Sequence, residues 1–169
     1  EGAKILGRLV EAACEELDHM RRREGQSLLN DLQSILAEIS EGLTVIRERA
    51  PGVIADYEDR LKQRMESLLA TVGSSAGEED VLREVAIFAE KSDIAEEVSR
   101  LTGHLDQFGE LITSTNEDPV GRTLDFLTQE MLREANTIGS KCLDSEVSRR
   151  TVLIKGAVDR LKEQVQNIR

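Results

Sequence analysis

Apolar residues recur at steps of three and four along almost the whole chain. The series opens at Ile5, Leu9, Ala12, Ala13, Leu17 and Met20, then resumes after the polar stretch Arg21–Ser27 at Leu28, Leu32, Ile35, Ile39, Leu43 and Ile46. This is the spacing of an amphipathic helix whose seam lies close to coiled-coil periodicity. Unbroken, it would be about 70 Å long at 1.5 Å per residue, and a kink is expected near Gly25. Ala50-Pro51-Gly52 is expected to interrupt it, with Pro51 in the first turn of a second helix through Val53, Tyr57, Leu61, Met65 and Leu69. Residues 71–77 read as a loop.

A third helix is expected from Glu78 through Val81, Val85, Phe88, Ile94, Val98, Leu101, Leu105, Phe108 and Ile112. Residues 113–121 read as another loop, with Asp118 as an N-cap before Pro119. Helical spacing returns at Leu124, Leu127, Met131, Ala135 and Ile138 and continues at Val147, Ile154, Val158, Leu161 and Val165, with a bend expected at Gly139 or within 142–145. No strand alternation competes. The pattern predicts an all-α fold of long antiparallel helices in coiled-coil-like hairpins or a bundle, divided into a helical hairpin over 1–77 and a helical domain over 78–169.

Composition narrows this picture. The 169 residues are 39% hydrophobic and 33% charged, with only two prolines, which suits aliphatic helical packing. The length allows one ordinary domain or two small ones. No run approaches the roughly 20 apolar residues needed to span a bilayer, and no signal-peptide pattern is visible. Cys14 and Cys142 form no CxxC pair, so neither a disulfide framework nor a thiolate zinc site is indicated, and a reducing cytoplasm is expected. Aromatics make up 2%, which argues against single-strand readout by a stacking platform, so that any RNA held here is expected to be held by phosphates and shape more than by base stacking. The net charge of −11 counts against generic binding to phosphate backbones. That charge is unevenly placed, however: residues 78–118 carry 12 acids and 3 bases, while residues 119–169 carry 7 acids and 9 bases.

The acidic and basic segments contain the candidate chemistry. At 100° per residue, Glu90, Asp93, Glu97, Arg100 and His104 share a sector of about 80° beside the seam of the third helix. Glu130, Glu134 and Lys141 flank the seam of the following helix, with Arg133, Asn136 and Ser140 on its other side. If the two helices pack side by side, carboxylate-bearing edges meet, and an oxygen-rich site with one histidine suits a hard cation such as Mg²⁺ or Mn²⁺. The bland alternative is a set of interhelical salt bridges framing the seam. Glu16-x-x-His19 has the spacing of a di-iron pair, but it is single and lies in basic surroundings. Arg21-Arg22-Arg23 reads as a solvated patch or a phosphate contact. No Walker loop, GxSxG elbow or HExxH appears.

Several strings are more specific than periodicity. They include Met20-Arg-Arg-Arg-Glu-Gly25, Arg49-Ala-Pro51, the run from Glu84 through Glu97 with Arg100, His104 and Phe108, Gly121-Arg-Thr-Leu-Asp125-Phe-Leu-Thr-Gln129-Glu130, and Arg133-Glu-Ala-Asn136-Thr-Ile-Gly-Ser140-Lys141. On these the chain resembles the YicC family over essentially its whole length. Leu132 stands where that family usually has Asn, and Gly103 where Ser often precedes the histidine.

The resemblance implies a bacterial cytoplasmic endoribonuclease that needs a divalent metal and forms a ring-like homo-oligomer, a hexamer, around RNA. It also implies that this chain is the C-terminal helical portion, without the family's N-terminal domain. Joined to the charged stripe, it gives the working hypothesis of metal-dependent RNA cleavage. Glu97, His104, Glu130 and Glu134 are the catalytic candidates. Arg100, Arg122, Arg133, Asn136 and Lys141 are the RNA-binding ones, and Glu90, Asp93, Glu97 and Glu130 would hold Mg²⁺ or Mn²⁺. The alternative is a non-catalytic helical oligomerisation or RNA-clamping module whose activity needs the absent domain.

Overall fold

The structure is a computed structural model that describes residues 2–72, 78–114 and 120–166. Five helices follow one another: α1 (Gly2–Val72), α2 (Glu78–Lys91), α3 (Ala95–Thr113), α4 (Gly121–Lys141) and α5 (Ser145–Gln166). The fold is all-α, and no strand occurs among the described residues. The centres of the two expected loops, including Asp118-Pro119, lie outside them.

Three sequence expectations about breaks are corrected. First, Pro51 does not interrupt the opening segment. Residues 2–72 are one helix of 71 residues with Pro51 inside it, about 105 Å at 1.5 Å per residue, rather than two arms of a hairpin. Proline removes the donor to the Arg47 carbonyl and crowds it, at a cost of roughly 3 kcal/mol. The helix survives because both flanks are anchored, with Ile46 and Val53 buried in the core on either side and Arg49 ion-paired to Asp56 and Asp144. The helix also passes through Gly25 without a break.

Second, the expected third helix is two helices, parted at Ser92–Ile94. The Asp93 carboxylate accepts the Ala95 N–H at 2.9 Å, a local bond that competes with helical continuation. Glu90 therefore belongs to α2 and does not share a helical stripe with Glu97 and His104.

Third, the last segment does not merely bend: it breaks at Cys142–Asp144. Asp144 Oδ1 accepts the N–H groups of Glu146 and Val147, both at 3.0 Å, and so caps the start of α5. Its Oδ2 accepts Arg49 Nη2 at 2.9 Å. The Arg49 hydrogen bond, with the two cap N–H groups, outweighs burial and holds the Asp144 carboxyl below the ordinary range.

The core is aliphatic, as the periodicity predicts. Leu32, Ile39, Leu43, Ile46 and Val53 of α1 join the seam residues of α3, α4 and α5 in one buried cluster. Along α1 and α5 the pairings run in opposite order: Glu38 meets Arg160, Gly42 meets Ile154, and Arg49 meets Asp144. Glycine permits close approach at two crossings. A Cβ on Gly42 would stand 3.0 Å from Ile154 Cγ1, and one on Gly139 would stand 3.2 Å from Thr151 Cγ2. Helix α2 is held to α1 by Tyr57 and Phe88, whose rings stack with centroids 3.7 Å apart. Residues 2–27 are exposed throughout, so the first part of α1 extends beyond the core.

Asp144→Ala is expected to lower the unfolding free energy by about 1–2 kcal/mol, the usual cost of a lost cap. Asp144→Asn retains a capping oxygen and should recover most of it. Urea denaturation followed by circular dichroism measures both. Equal losses would show that the Arg49 ion pair, not the cap, carries the contribution.

Candidate functional site between helices α3 and α4

Helix α3 presents Glu97, Arg100 and His104 on one face, and α4 answers with Lys141, Glu134 and Glu130. Lys141 Nζ donates to Glu97 Oε1 at 2.9 Å. Arg100 Nη2 donates to Glu134 Oε2 at 2.9 Å and to Glu97 Oε1 at 3.2 Å, and its other nitrogen pairs with Glu96. His104 lies opposite Glu130 and Glu134. Partner numbers rise on α4 as they fall on α3, so the two helices run in opposite senses here.

Edge residues of a helical seam are ordinarily half-exposed, yet Glu97 is 3% and Glu134 5% exposed. Arg100 and Lys141 reach over them from more exposed positions, their stems covering the acids while their charged ends stay wet. Burial pushes the Glu97 carboxyl up, but the Lys141 hydrogen bond, together with the charges of Lys141 and Arg100, outweighs it and leaves it below the ordinary range. Arg100 is pushed up by its hydrogen bond to Glu134. Glu97 Oε2 is buried and accepts no hydrogen bond from the described residues. Lys141 also donates to the Asp93 carbonyl at 3.2 Å, fixing the α2–α3 turn against the end of α4.

One ligand atom each of His104, Glu130 and Glu134 lie within 4.8 Å of one another. This is the one such group of three among the described residues, and it differs from the set Glu90, Asp93, Glu97 and Glu130 read from the sequence. Glu90 and Asp93 instead line an open groove of about 980 Å³, with Arg47 and Pro51 of α1 and Thr102 and Asp106 of α3. The helix break at 92–94 is what removes Glu90 from the cluster. Arg122 and Asn136 stand exposed on the outer face of α4. Arg133, 74% exposed, reaches Glu130 only at 3.5 Å. Leu132 is half-buried against the core and Gly103 lines the groove, so neither departure from the family pattern falls in the cluster. Phe126, which periodicity did not single out, is 57% exposed on α4.

An all-α scaffold that brings an imidazole and two carboxylates together, with the exposed Arg133 paired to one of them, defines a protein with a candidate divalent-cation site. The chain belongs to the YicC-like family: residues 46–169 match the family model described as "Endoribonuclease YicC-like, C-terminal". It is similar to "Probable endoribonuclease YicC" of Clostridioides difficile (strain 630), at 37% identity over 164 residues, 97% of this chain and 55% of that protein. It is likewise similar to "Probable endoribonuclease YicC" of Haemophilus influenzae, at 31% identity over 149 residues, 88% of this chain and 50% of that protein. The chain thus spans about half the length of the curated relatives it matches. No helix of the described residues is long and apolar enough to cross a membrane.

Lys141→Met is expected to destabilise the fold by at least about 1 kcal/mol at neutral pH, because a buried carboxylate loses its nearest donor. The sign with pH follows from Glu97. Its folded-state pKa lies below the ordinary 4.5, so its contribution is present above that value and is lost as pH falls through the lower folded one. The stability gap between parent and variant should therefore be widest near neutrality and narrow below about pH 4.5, read from urea denaturation at stepped pH. A gap constant with pH would remove Glu97 as its source.

Proposed function

We propose that this chain carries the catalytic edge of a metal-dependent endoribonuclease, with His104, Glu130 and Glu134 holding Mg²⁺ or Mn²⁺. The observation that supports it most is the convergence of those three donors in a seam where the other carboxylate, Glu97, keeps one buried oxygen uncommitted. The donor set fits such an ion: two carboxylates balance a double charge, and Glu134 gives only one of its oxygens to Arg100. Bound there, the cation would supply a nucleophile of lowered pKa and charge stabilisation at the phosphate. In the alternative arrangement the two carboxylates hold the ion and His104 instead moves a proton to the leaving oxygen. Arg133 and Arg122 hold the phosphates, and Asn136 adds a neutral donor on the same face. Arg100 and Lys141 are committed to Glu134 and Glu97, which makes them positioning residues that fix the acids. Glu90 and Asp93, at the groove, are left out of the metal set. The endoribonuclease names of the two relatives agree with this reading.

His104→Ala, Glu130→Ala and Glu134→Gln should each slow RNA cleavage by at least about tenfold in the full-length protein. Glu90→Ala should not. Mn²⁺ binding by calorimetry should weaken in the His104 and Glu130 variants without change in helical content. Unchanged rates and unchanged Mn²⁺ binding would sink the assignment.

A second role is supported by a separate observation. Ile5, Leu6, Leu9, Val10, Leu17 and Met20 of α1 are each about half-exposed or more, an apolar stripe that no described part of the chain covers. We assign it to homo-oligomer formation, for which the family resemblance gives six copies. Light scattering should return a multiple of 18.8 kDa, reduced to a single copy by Leu9→Glu with Leu17→Glu. A folded oligomer that cuts no RNA under any metal would favour the assembly module over the nuclease.

A further inference from the structure

The chain has four aromatic residues and no tryptophan, and three of the four are used inside the fold. Phe108 is fully buried, and Tyr57 and Phe88 stack on each other. Phe126 is left over, 57% exposed. At 100° per residue it lies with Arg122, Gln129, Arg133, Asn136 and Ser140 within about 80° of the outer face of α4, and all six are exposed. Arg122 is one turn before Phe126 and makes no ion pair with the described residues; Arg133 is two turns after it. No carboxylate falls on this stripe. Asp125 and Glu130 flank it, the first bonded by Gln129 at 3.0 Å and the second loosely by Arg133 at 3.5 Å. In a chain of net charge −11, an acid-free line of two arginines, two amides and a bare ring is an unusual surface.

We propose that Phe126 is a stacking site for one unpaired RNA base, with Arg122 and Arg133 taking the phosphates on either side. A phenyl ring open on one face binds any base by its π-surface, and flanking cations hold the backbone that carries it. Glu130 is one helical turn from Phe126, so a base stacked there would set the adjoining phosphate beside the His104, Glu130 and Glu134 cluster. The substrate class is then RNA unpaired at the point of cleavage, since a base inside a duplex presents no free face to the ring. This deepens the nuclease reading above and rests on it.

The test uses the 169-residue chain in metal-free buffer with oligo(A) and with a blunt RNA duplex of equal length. Phe126→Trp introduces the sole indole, whose emission should be quenched saturably by the single strand and little changed by the duplex. Phe126→Ala and Phe126→Leu should each weaken single-strand binding by about tenfold, the leucine failing because bulk without a ring does not stack. Because the side chain is outside the core, far-UV circular dichroism should be unchanged in all three. Single-strand affinity unaffected by Phe126→Ala, or equal quenching by duplex, overturns the stacking site and leaves the nuclease reading standing. No RNA binding by the unsubstituted chain overturns the stacking site, and the nuclease reading falls with it only if the full-length protein also cuts no RNA with Mn²⁺. Emission that depends on protein concentration without RNA, with a lower light-scattering mass for Phe126→Ala, overturns the proposal by making this face a contact between copies.

Discussion

Glu97 and Glu134 are taken almost wholly out of water between helices whose remaining facing residues are aliphatic. A carboxylate in that position is tolerated only when cations reach it, and Arg100 and Lys141 do so from either side of the seam. Arg100 is the shared member, bonding an acid on its own helix and one on the next. The pairs work in one register. Sliding α4 by a turn along α3 would leave at least one buried acid facing a methyl group. That constraint fixes which part of α4 stands opposite His104, and so brings Glu130 and Glu134 to it. The apolar seam alone, a repeat of similar aliphatic residues, would not distinguish neighbouring registers as sharply.

The same logic explains why the helices end where they do. Asp93 and Asp144 each turn a carboxylate back onto the N–H groups of the following residues, and each turn is tied to a distant helix. Lys141 bonds the carbonyl of Asp93, and Arg49 bonds the side chain of Asp144. Local capping and long-range pairing thus use the same residues. A break in the helix becomes a fixed corner, and the two corners hold the ends of α3, α4 and α5 in relation to α1.

Much of the fold was legible because helical periodicity is a property of neighbouring residues. Ile39, Leu101, Met131 and Val158 were placed in the core by spacing alone, and they are buried there. The breaks were harder, since a capping aspartate and a solvated one are the same letter; Asp93 and Asp144 declare themselves only through the N–H groups they accept. Pro51 misled in the opposite direction. Its local cost argues for a break, but the tertiary anchors at Ile46, Arg49 and Val53 that overcome it are not visible in the local sequence. For the site, spacing found the stripe from Glu97 to His104 and its counterpart from Glu130 to Lys141. It wrongly extended that stripe to Glu90, because it carried one helix through a turn. It also passed over Phe126, which lies off the Leu124–Ile138 seam on the opposite face of α4, because a search for apolar seams discards what falls outside them.

The charge of the whole chain is a poor guide to what α4 can hold. Electrostatic potential at a surface is set by charges within roughly 8–10 Å at physiological salt, and the acids that flank the outer face of α4 are Asp125, bonded by Gln129, and Glu130, paired with Arg133; the seam acids are turned inward. Glu134 is capped by Arg100 and Glu97 by Lys141, both turned into the seam and away from water. What remains outward is Arg122 and Arg133 with Gln129, Asn136 and Ser140, flanked by Asp125 and Glu130. The buried ion pairs therefore have a second consequence besides fixing register. By keeping two acids inside and compensated, they leave Asp125 and Glu130 as the α4 carboxylates that flank Arg122 and Arg133 on the outer face.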